Sequence, residues 1–338
     1  MSGVVAQSIT SGCTFEDAVV QQEKMAEAGA VLVTLGDPRY PRVLREIFDP
    51  PIALFARGRV DLLGTLAIGV VGTRRPTPYG LAASERLSAD LAHAGLTIAS
   101  GMARGIDAAA HKGALSVGGD TIAVLGCGVD VVYPSENRKL AANLAVKGLI
   151  VSEFPMGGVA FPQNFPIRNR IISGMSVGVM VVEGAQYSGS AITAKLAMDQ
   201  GREVFAVPGN ITSKLSWGPN LLIKQGARLV QDWNDVVTDL PAESRRYLIE
   251  KGKQRLLGED AATTEGGQTS VIPGAGPELD ETARLALGAL HVDSAIHLDN
   301  LLEIIADTSP SELIAALFEL EMLGLVKQLP GKNFVKVW

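Results

Sequence analysis

Residues 66–80, Leu-Ala-Ile-Gly-Val-Val-Gly-Thr-Arg-Arg-Pro-Thr-Pro-Tyr-Gly, set the fold. A continuous apolar run, Leu66–Val71, stops at a glycine, passes through a turn carrying Arg74 and Arg75, and enters a helical stretch, Gly80–Ala94. Such a run, without polar alternation, suits a strand covered on both faces by crossover helices. The same pattern recurs as far as Asp239. Further strand-like runs are Leu96–Ala99, Thr121–Leu125, Leu149–Ser152, Val177–Val182, Val204–Val207 and Arg228–Val230. Helical stretches lie between them at Ile106–Ser116, Ser135–Val146, Ser190–Gln200 and Leu221–Gln225. The expected architecture is an α/β fold built on a doubly wound parallel, Rossmann-like sheet.

Working outward, residues 1–29 form a short N-terminal extension with a helical stretch at Glu16–Ala28. Strand-like segments at Val31–Thr34 and Ile52–Ala56 flank a Tyr40-Pro41 turn and extend the main domain, which is expected to span residues 30–241. Residues 242–276 begin as a basic helical segment and continue into a Gly-, Thr-, Ser- and Pro-rich stretch that reads as a linker. In residues 277–338, helical patterns at Leu279–Leu290, Leu298–Ala306 and Pro310–Leu323 precede two strand-like runs, Leu325–Leu329 and Asn333–Val337. Ser309 before Pro310 is an N-cap followed by proline at the first helical position. Three helices and a hairpin make a winged helix.

Composition bounds the function. The 338 residues are 47% hydrophobic and 20% charged, enough for a large core and a second, smaller one. No run of 18 or more apolar residues occurs, and Met1–Thr14 lacks the basic and apolar regions of a secretory signal, so a cytoplasmic location without membrane contact is expected. Two cysteines, Cys13 and Cys127, are too few for a disulfide framework or a structural zinc site. A net charge of −6 excludes a uniformly basic nucleic-acid binder, so any basic cleft must be local.

Ligands of open parallel sheets bind beyond the carboxyl ends of the strands. Arg74, Arg75, Arg104, Lys112, Arg138, Lys139, Arg168 and Arg170 all fall at or just past predicted strand ends. Helix N-termini with free N–H groups lie there too, and both features favour phosphate. Any single turn with glycine and arginine is ordinary in this fold. Five of the same character on one edge point to an anionic ligand. No Gly-x-Gly-x-x-Gly follows the first strand, the Gly126-Cys127-Gly128 triplet lacks a third glycine, and no Walker sequence occurs. Nicotinamide dinucleotides and nucleoside triphosphates are therefore disfavoured, and no cofactor is expected. The four histidines (His93, His111, His291, His297) form no catalytic motif; Asp107 is expected to brace a turn, with His111 packed near it. Arginines spread over four loops suit an extended, multi-phosphate ligand. Tyr79, Tyr133 and Phe165 lie in or beside these loops, where base stacking is worth roughly 1–3 kcal/mol each. Phe165 is the best stacking candidate, whereas Tyr133 before Pro134 is expected to be buried.

These segments resemble one family. Gly72–Gly80, Ser100-Gly101-x-Ala103-x-Gly105-Ile106-Asp107, Tyr133-Pro134-x-x-Asn137, Ser152-Glu153 and Phe165-Pro166-x-Arg168-Asn169-Arg170-Ile171-Ile172-Ser173 closely resemble the DNA processing protein A (Smf) family. So do Ser188-Gly189-Ser190, Gly201-Arg202-Glu203-Val204 and Pro208-Gly209, in matching order over about residues 30–240. The resemblance implies a dimeric, non-enzymatic recombination mediator that binds and protects single-stranded DNA in natural transformation and loads a RecA-type recombinase. Carried onto this chain, phosphate binding falls on Gly72, Thr73 and Arg74 with the following helix start, including Thr77 and Tyr79. Ser100, Gly101 and Arg104 flank them, Phe165, Arg168, Asn169 and Arg170 line the same pocket, and Phe165 stacks on a base. Many relatives carry lysine where this chain has Ser135, so Arg138 and Lys139 are the expected substitutes.

The Ser309–Leu323 helix carries Glu312, Glu319 and Glu321 and no basic residue, so it is expected to contact protein or tune the dimer and not to read duplex DNA. An alternative is an enzyme like the nucleoside-monophosphate phosphoribohydrolases, which use a Pro-Gly-Gly-x-Gly-Thr-x-x-Glu loop. Pro208-Gly209-Asn210-Ile211-Thr212 departs from that pattern, and Glu183, the one well-placed carboxylate, is expected to be structural.

Overall fold

Strand and helix formation follow the apolar runs closely. In chain order the elements are α1 (Phe15–Ala28), β1 (Ala30–Thr34), α2 (Arg42–Arg45), β2 (Ala53–Gly58), β3 (Ala67–Val71), α3 (Pro78–His93), β4 (Thr97–Ser100), α4 (Ile106–Ser116) and β5 (Thr121–Val124). They continue through α5 (Arg138–Lys147), β6 (Leu149–Ser152), α6 (Asn164–Gly174), β7 (Ser176–Val181), α7 (Gly189–Asp199), β8 (Glu203–Ala206), α8 (Trp217–Lys224), β9 (Arg228–Leu229) and α9 (Trp233–Thr238). This computed structural model describes residues 15–186, 188–248, 251, 281–291, 295–305, 308–322, 325–329 and 332–336. The chain divides into two compact units, Met1–Thr264 and Glu265–Trp338. Most of the linker expected at residues 242–276 lies outside the described residues.

Nine strands form one sheet in the order β1-β2-β6-β5-β4-β3-β7-β8-β9. From β6 to β9 every neighbouring pair is parallel. The other edge departs from an all-parallel sheet: β1 pairs with β2, and β2 with β6, antiparallel. The segment from Leu35 to Ile52 holds no long crossover helix, so β2 turns back beside β1 as antiparallel geometry allows. Tyr40, buried in that segment, anchors it by donating its hydroxyl to the Pro51 carbonyl at 2.8 Å.

Alternate strand residues feed opposite faces. Ala67, Val71, Val179 and Val181 pack with Ile171 and Ile172 of α6, Ala194 of α7 and Leu222 of α8. Ile68, Val70 and Met180 pack with Leu87 and Leu91 of α3, Ile106 and Ala110 of α4, and Val236 of α9. Strands buried on both faces explain why the sequence shows no polar alternation. The order places the switch point between β3 and β7: the chain leaves β3 towards β4 and leaves β7 towards β8.

The smaller unit has its own core. It contains α10 (Glu281–Ala289), β10 (Ile296–His297), α11 (Leu298–Ile304), α12 (Pro310–Met322), β11 (Val326–Leu329) and β12 (Asn333–Lys336). Leu301, Leu313, Leu317, Leu320 and Phe334 are among its buried residues. Ser309 and Glu312 cap α12 reciprocally: Ser309 N–H and Oγ donate to Glu312 Oε2 at 2.9 and 2.7 Å, and Glu312 N–H donates to Ser309 Oγ at 3.3 Å. The two-residue β10 joins the hairpin beside β12, giving the three-stranded sheet of a winged helix.

Candidate nucleic-acid interface

The turn after β3 is pinned on both sides. Thr73 N–H donates to the Glu183 carbonyl beyond β7 at 2.7 Å, and Ile106 N–H at the start of α4 donates to the Thr73 carbonyl at 3.3 Å. Gly72 is required there, because a Cβ would come within 2.5 Å of the Ile106 side chain and 2.9 Å of the Glu183 carbonyl oxygen. Arg74 extends from this fixed turn and is exposed. Its guanidinium carbon stands 5.0 Å from the centre of the Phe165 ring, a cation–π contact.

Phe165 is fixed just as firmly. Asn164 Nδ2 donates to the carbonyls of Gly126 and Val159 at 3.0 and 3.3 Å, holding the start of α6 against the turn after β5. A Cβ at Gly126 would come within 3.0 Å of the Phe165 ring, so this glycine makes room for an aromatic side chain, not for a dinucleotide. Tyr133 stacks on Phe165 with centroids 5.4 Å apart and planes inclined by 28°. It is 41% exposed, which corrects the expectation of burial: the cis Tyr133-Pro134 bond is part of a surface turn. Arg74, Arg104, Tyr133, Phe165, Arg168 and the Gly101–Ala103 and Leu125–Cys127 turns line one cleft over β4 and β5.

The basic residues play different parts. Arg74 is open, and Arg138 and Lys139 are exposed at the start of α5 without an ion-pair partner among the described residues. Arg104 is exposed and paired with the equally exposed Glu136, a contact that water screens. Arg168 is buried, 4% exposed, and donates through Nη1 to the carbonyls of Gly101 and Val124. Burial draws its pKa down to about 10, with Asp107 acting in the opposite sense. Arg170 forms a bidentate pair with Glu153 at 2.7 Å and reaches Asp49 at 3.1 Å, so it ties α6 to the strap between β1 and β2. Asn169 is half-buried, its Oδ1 accepting from Arg168 Nε at 3.2 Å.

Other expected contacts lie apart from the cleft. Ser100 is buried and donates to the Val70 carbonyl at 2.6 Å. Thr77 N–H and Oγ1 donate to the two oxygens of Glu183 at 2.9 and 2.6 Å, and Thr77 Oγ1 accepts from Gly80 N–H as the N-cap of α3. Glu183, 2% exposed, thus fills the switch point and braces a helix start, the structural role expected of it. Tyr79 donates its hydroxyl to the Pro208 carbonyl at 2.7 Å and lines a second depression with Thr77, Glu183, Asn210 and Ser216.

Asp107 braces the turn after β4 as expected, and His111 is buried with its Nδ1 2.7 Å from Thr121 Oγ1. Thr121 Oγ1 donates to the Ile98 carbonyl, so His111 Nδ1 carries the proton. Burial pushes the Cys127 thiol up to about 11, leaving it protonated and unreactive at neutral pH. Among the described residues no cluster suited to a metal ion occurs, and no helix is long and apolar enough to cross a membrane. Asn137, absent from the expected contacts, holds the turn after β4 by donating to the Met102 carbonyl at 2.9 Å; its place in Tyr133-Pro134-x-x-Asn137 was the available signal.

The model of the DNA recombination-mediator protein A family matches residues 31–241, and that of the DprA winged helix domain matches residues 273–332. Protein Smf of Synechocystis is 37% identical over 329 residues, 92% of this chain and 81% of that one. DNA processing protein DprA of Bacillus subtilis is 42% identical over 222 residues, 65% of this chain and 75% of that one. The crystal structure of DprA from Streptococcus pneumoniae superposes with a TM-score of 0.62 at 40% identity, covering 65% of this chain and 78% of that one. A structure of the Helicobacter pylori protein, described for its single-stranded DNA binding mode, gives a TM-score of 0.57 at 31% identity over 62% of this chain and 97% of that one. The pinned arginine turn, the aromatic stack and both domains therefore belong to a member of the DNA recombination-mediator protein A family.

Proposed function

We propose that this chain binds single-stranded DNA in the cleft over β4 and β5, with Arg74 on a phosphate and Phe165 beneath a base. The observation that carries this reading is the Arg74–Phe165–Tyr133 arrangement at the cleft mouth: a cation and two aromatic faces within stacking distance of one another. Single strands are held by this combination of a cationic groove and stacking platforms. The exposed Arg138 and Lys139, which follow the cleft-lining Tyr133-Pro134 turn, supply further charge for the backbone as substitutes for the lysine absent at Ser135. We further propose that the chain acts as a cytoplasmic homodimer that protects incoming strands in transformation and passes them to a RecA-type recombinase, without itself catalysing a reaction. The engagement of both Glu183 oxygens by Thr77 supports the non-enzymatic reading, because this carboxylate is committed to bracing the start of α3 and is not free for glycosidic cleavage. The winged helix offers protein contacts in place of duplex readout, since α12 has no basic residue.

The test is a fluorescence-anisotropy titration of a labelled oligothymidine at two salt concentrations, with wild type and Arg74→Ala. Wild type binds with strong salt dependence, and the variant binds weakly with a salt slope lower by about 0.7, the share of one single-strand phosphate. An unlabelled duplex of the same length competes poorly. Absent binding, equal binding by the variant, or efficient duplex competition contradicts the proposal.

A further inference from the structure

Gly101, Ala103 and Arg104, in the turn after β4, line one wall of the cleft. The carbonyls of the turn's first three residues are engaged from the protein side. Gly101 O accepts from Arg168 Nη1 at 2.8 Å, Met102 O accepts from Asn137 Nδ2 at 2.9 Å, and Ala103 O accepts from the same Asn137 nitrogen at 3.4 Å. Asp107 Oδ2 accepts from Gly101 N–H at 3.1 Å and Ala103 N–H at 3.4 Å. Met102 is held in the left-handed region at φ 53, and Gly105 at φ 77. A side chain on Gly101 would overlap the Arg168 guanidinium, and one on Gly105 would come within 2.5 Å of the Thr73 carbonyl. The wall is thus clamped to the Arg74 turn and to α6. The N–H groups of Arg104 and Gly105 have no hydrogen-bond partner among the described residues, and both residues reach the surface.

We propose that Asn137 and Arg168 are positioning residues, binding the Gly101, Met102 and Ala103 carbonyls from behind so that the Arg104 and Gly105 N–H groups meet a phosphate. The physical reason is sign: a carbonyl oxygen turned into the cleft repels a phosphate oxygen, whereas an N–H group held there attracts it. Arg168 accordingly acts on DNA through the backbone, its guanidinium being enclosed and occupied by two carbonyls. This inference rests on the single-strand reading and assigns the cleft's second anion contact.

The experiment measures oligothymidine affinity, its salt slope and the thermal midpoint for full-length wild type, Asn137→Ala, Arg168→Lys and Arg74→Ala. Amide chemical shifts of Arg104 and Gly105 are followed during titration of wild type with the same oligothymidine. Asn137→Ala is expected to weaken binding roughly three- to tenfold, the worth of a neutral hydrogen bond. Its salt slope stays at the wild-type value, because no cation is removed. Arg168→Lys, which keeps the charge but not the planar fork of donors, is expected to bind more weakly than wild type and more tightly than Arg74→Ala, and the Arg104 and Gly105 amides of wild type shift on saturation. Unchanged affinity in Asn137→Ala and Arg168→Lys, or unmoved amides, while Arg74→Ala still loses binding, overturns the positioning role and leaves the single-strand reading intact. Failure of wild type to bind overturns both.

Discussion

Phe165 is the side chain whose removal separates stacking from charge. It is half-buried, lies under Arg74 at 5.0 Å and stacks on Tyr133 at 5.4 Å. Phe165→Ala deletes a base platform worth about 1–3 kcal/mol. At about 1.4 kcal/mol per tenfold, the dissociation constant for oligothymidine rises roughly five- to 150-fold. Loss of the cation–π contact frees Arg74 at a further cost of about 0.5–1 kcal/mol in its placement. The number of cations is unchanged, so the logarithmic salt slope stays the same, in contrast to the fall of about 0.7 for Arg74→Ala. The assay is anisotropy over a salt series, far below the thermal midpoint, because the ring pair also contributes about 0.5–1.5 kcal/mol to folding. Phe165→Trp restores affinity where Phe165→Leu does not. A flattened salt slope in Phe165→Ala, or equal rescue by leucine and tryptophan, refutes a stacking role.

Three other consequences follow from buried charges and polar groups. His111 is held neutral by burial, with Arg168 adding to the effect, and its pKa is pulled down from 6.5 to about 3. The unfolded chain therefore takes up a proton that the folded chain refuses, and stability falls as pH drops below 6.5. The loss between pH 7 and pH 5 is about 2 kcal/mol, and chemical denaturation of wild type against His111→Gln should reveal it as the difference between their pH slopes. Glu183→Ala strands Thr77 N–H and Oγ1 at the start of α3; a loss of about 2–4 kcal/mol in urea unfolding is expected. The same variant leaves base release from nucleoside monophosphates at background, as in wild type. Arg170→Met breaks the half-buried pair with Glu153 and the link to Asp49, so the thermal midpoint falls while the oligothymidine salt slope is retained.

Much of the fold was legible because strands covered on both faces leave an unmistakable trace. Ile106–Ser116 was read to the residue, and Ala67–Val71 to within one. The antiparallel edge was not, since Val31–Thr34 and Ile52–Ala56 look alike whether they pair parallel or antiparallel. Connection length is the discriminating signal. The two-residue strand Ile296–His297 is too short for any periodicity to register. At the cleft, sequence position gathered these residue types at one edge of the sheet but said nothing of which way each side chain turns. Arg74 and Arg168 look equivalent as arginines past strand ends. One is open and the other enclosed, because Arg168 sits on the inner face of α6, beneath the ends of β4 and β5. Tyr133 escaped for a similar reason: a tyrosine before proline suggests a packed turn, yet the turn lies at the surface with Phe165 as its partner.

The central claim is that single-stranded DNA lies in the cleft over β4 and β5. Hydrogen–deuterium exchange of the full chain with and without saturating oligothymidine tests it most directly. The account predicts protection gathered in the turns 72–75 and 101–105, the segment 133–139 and the start of α6 at 164–168. Protection confined to the winged-helix residues 281–336, with those four segments unchanged, would contradict it.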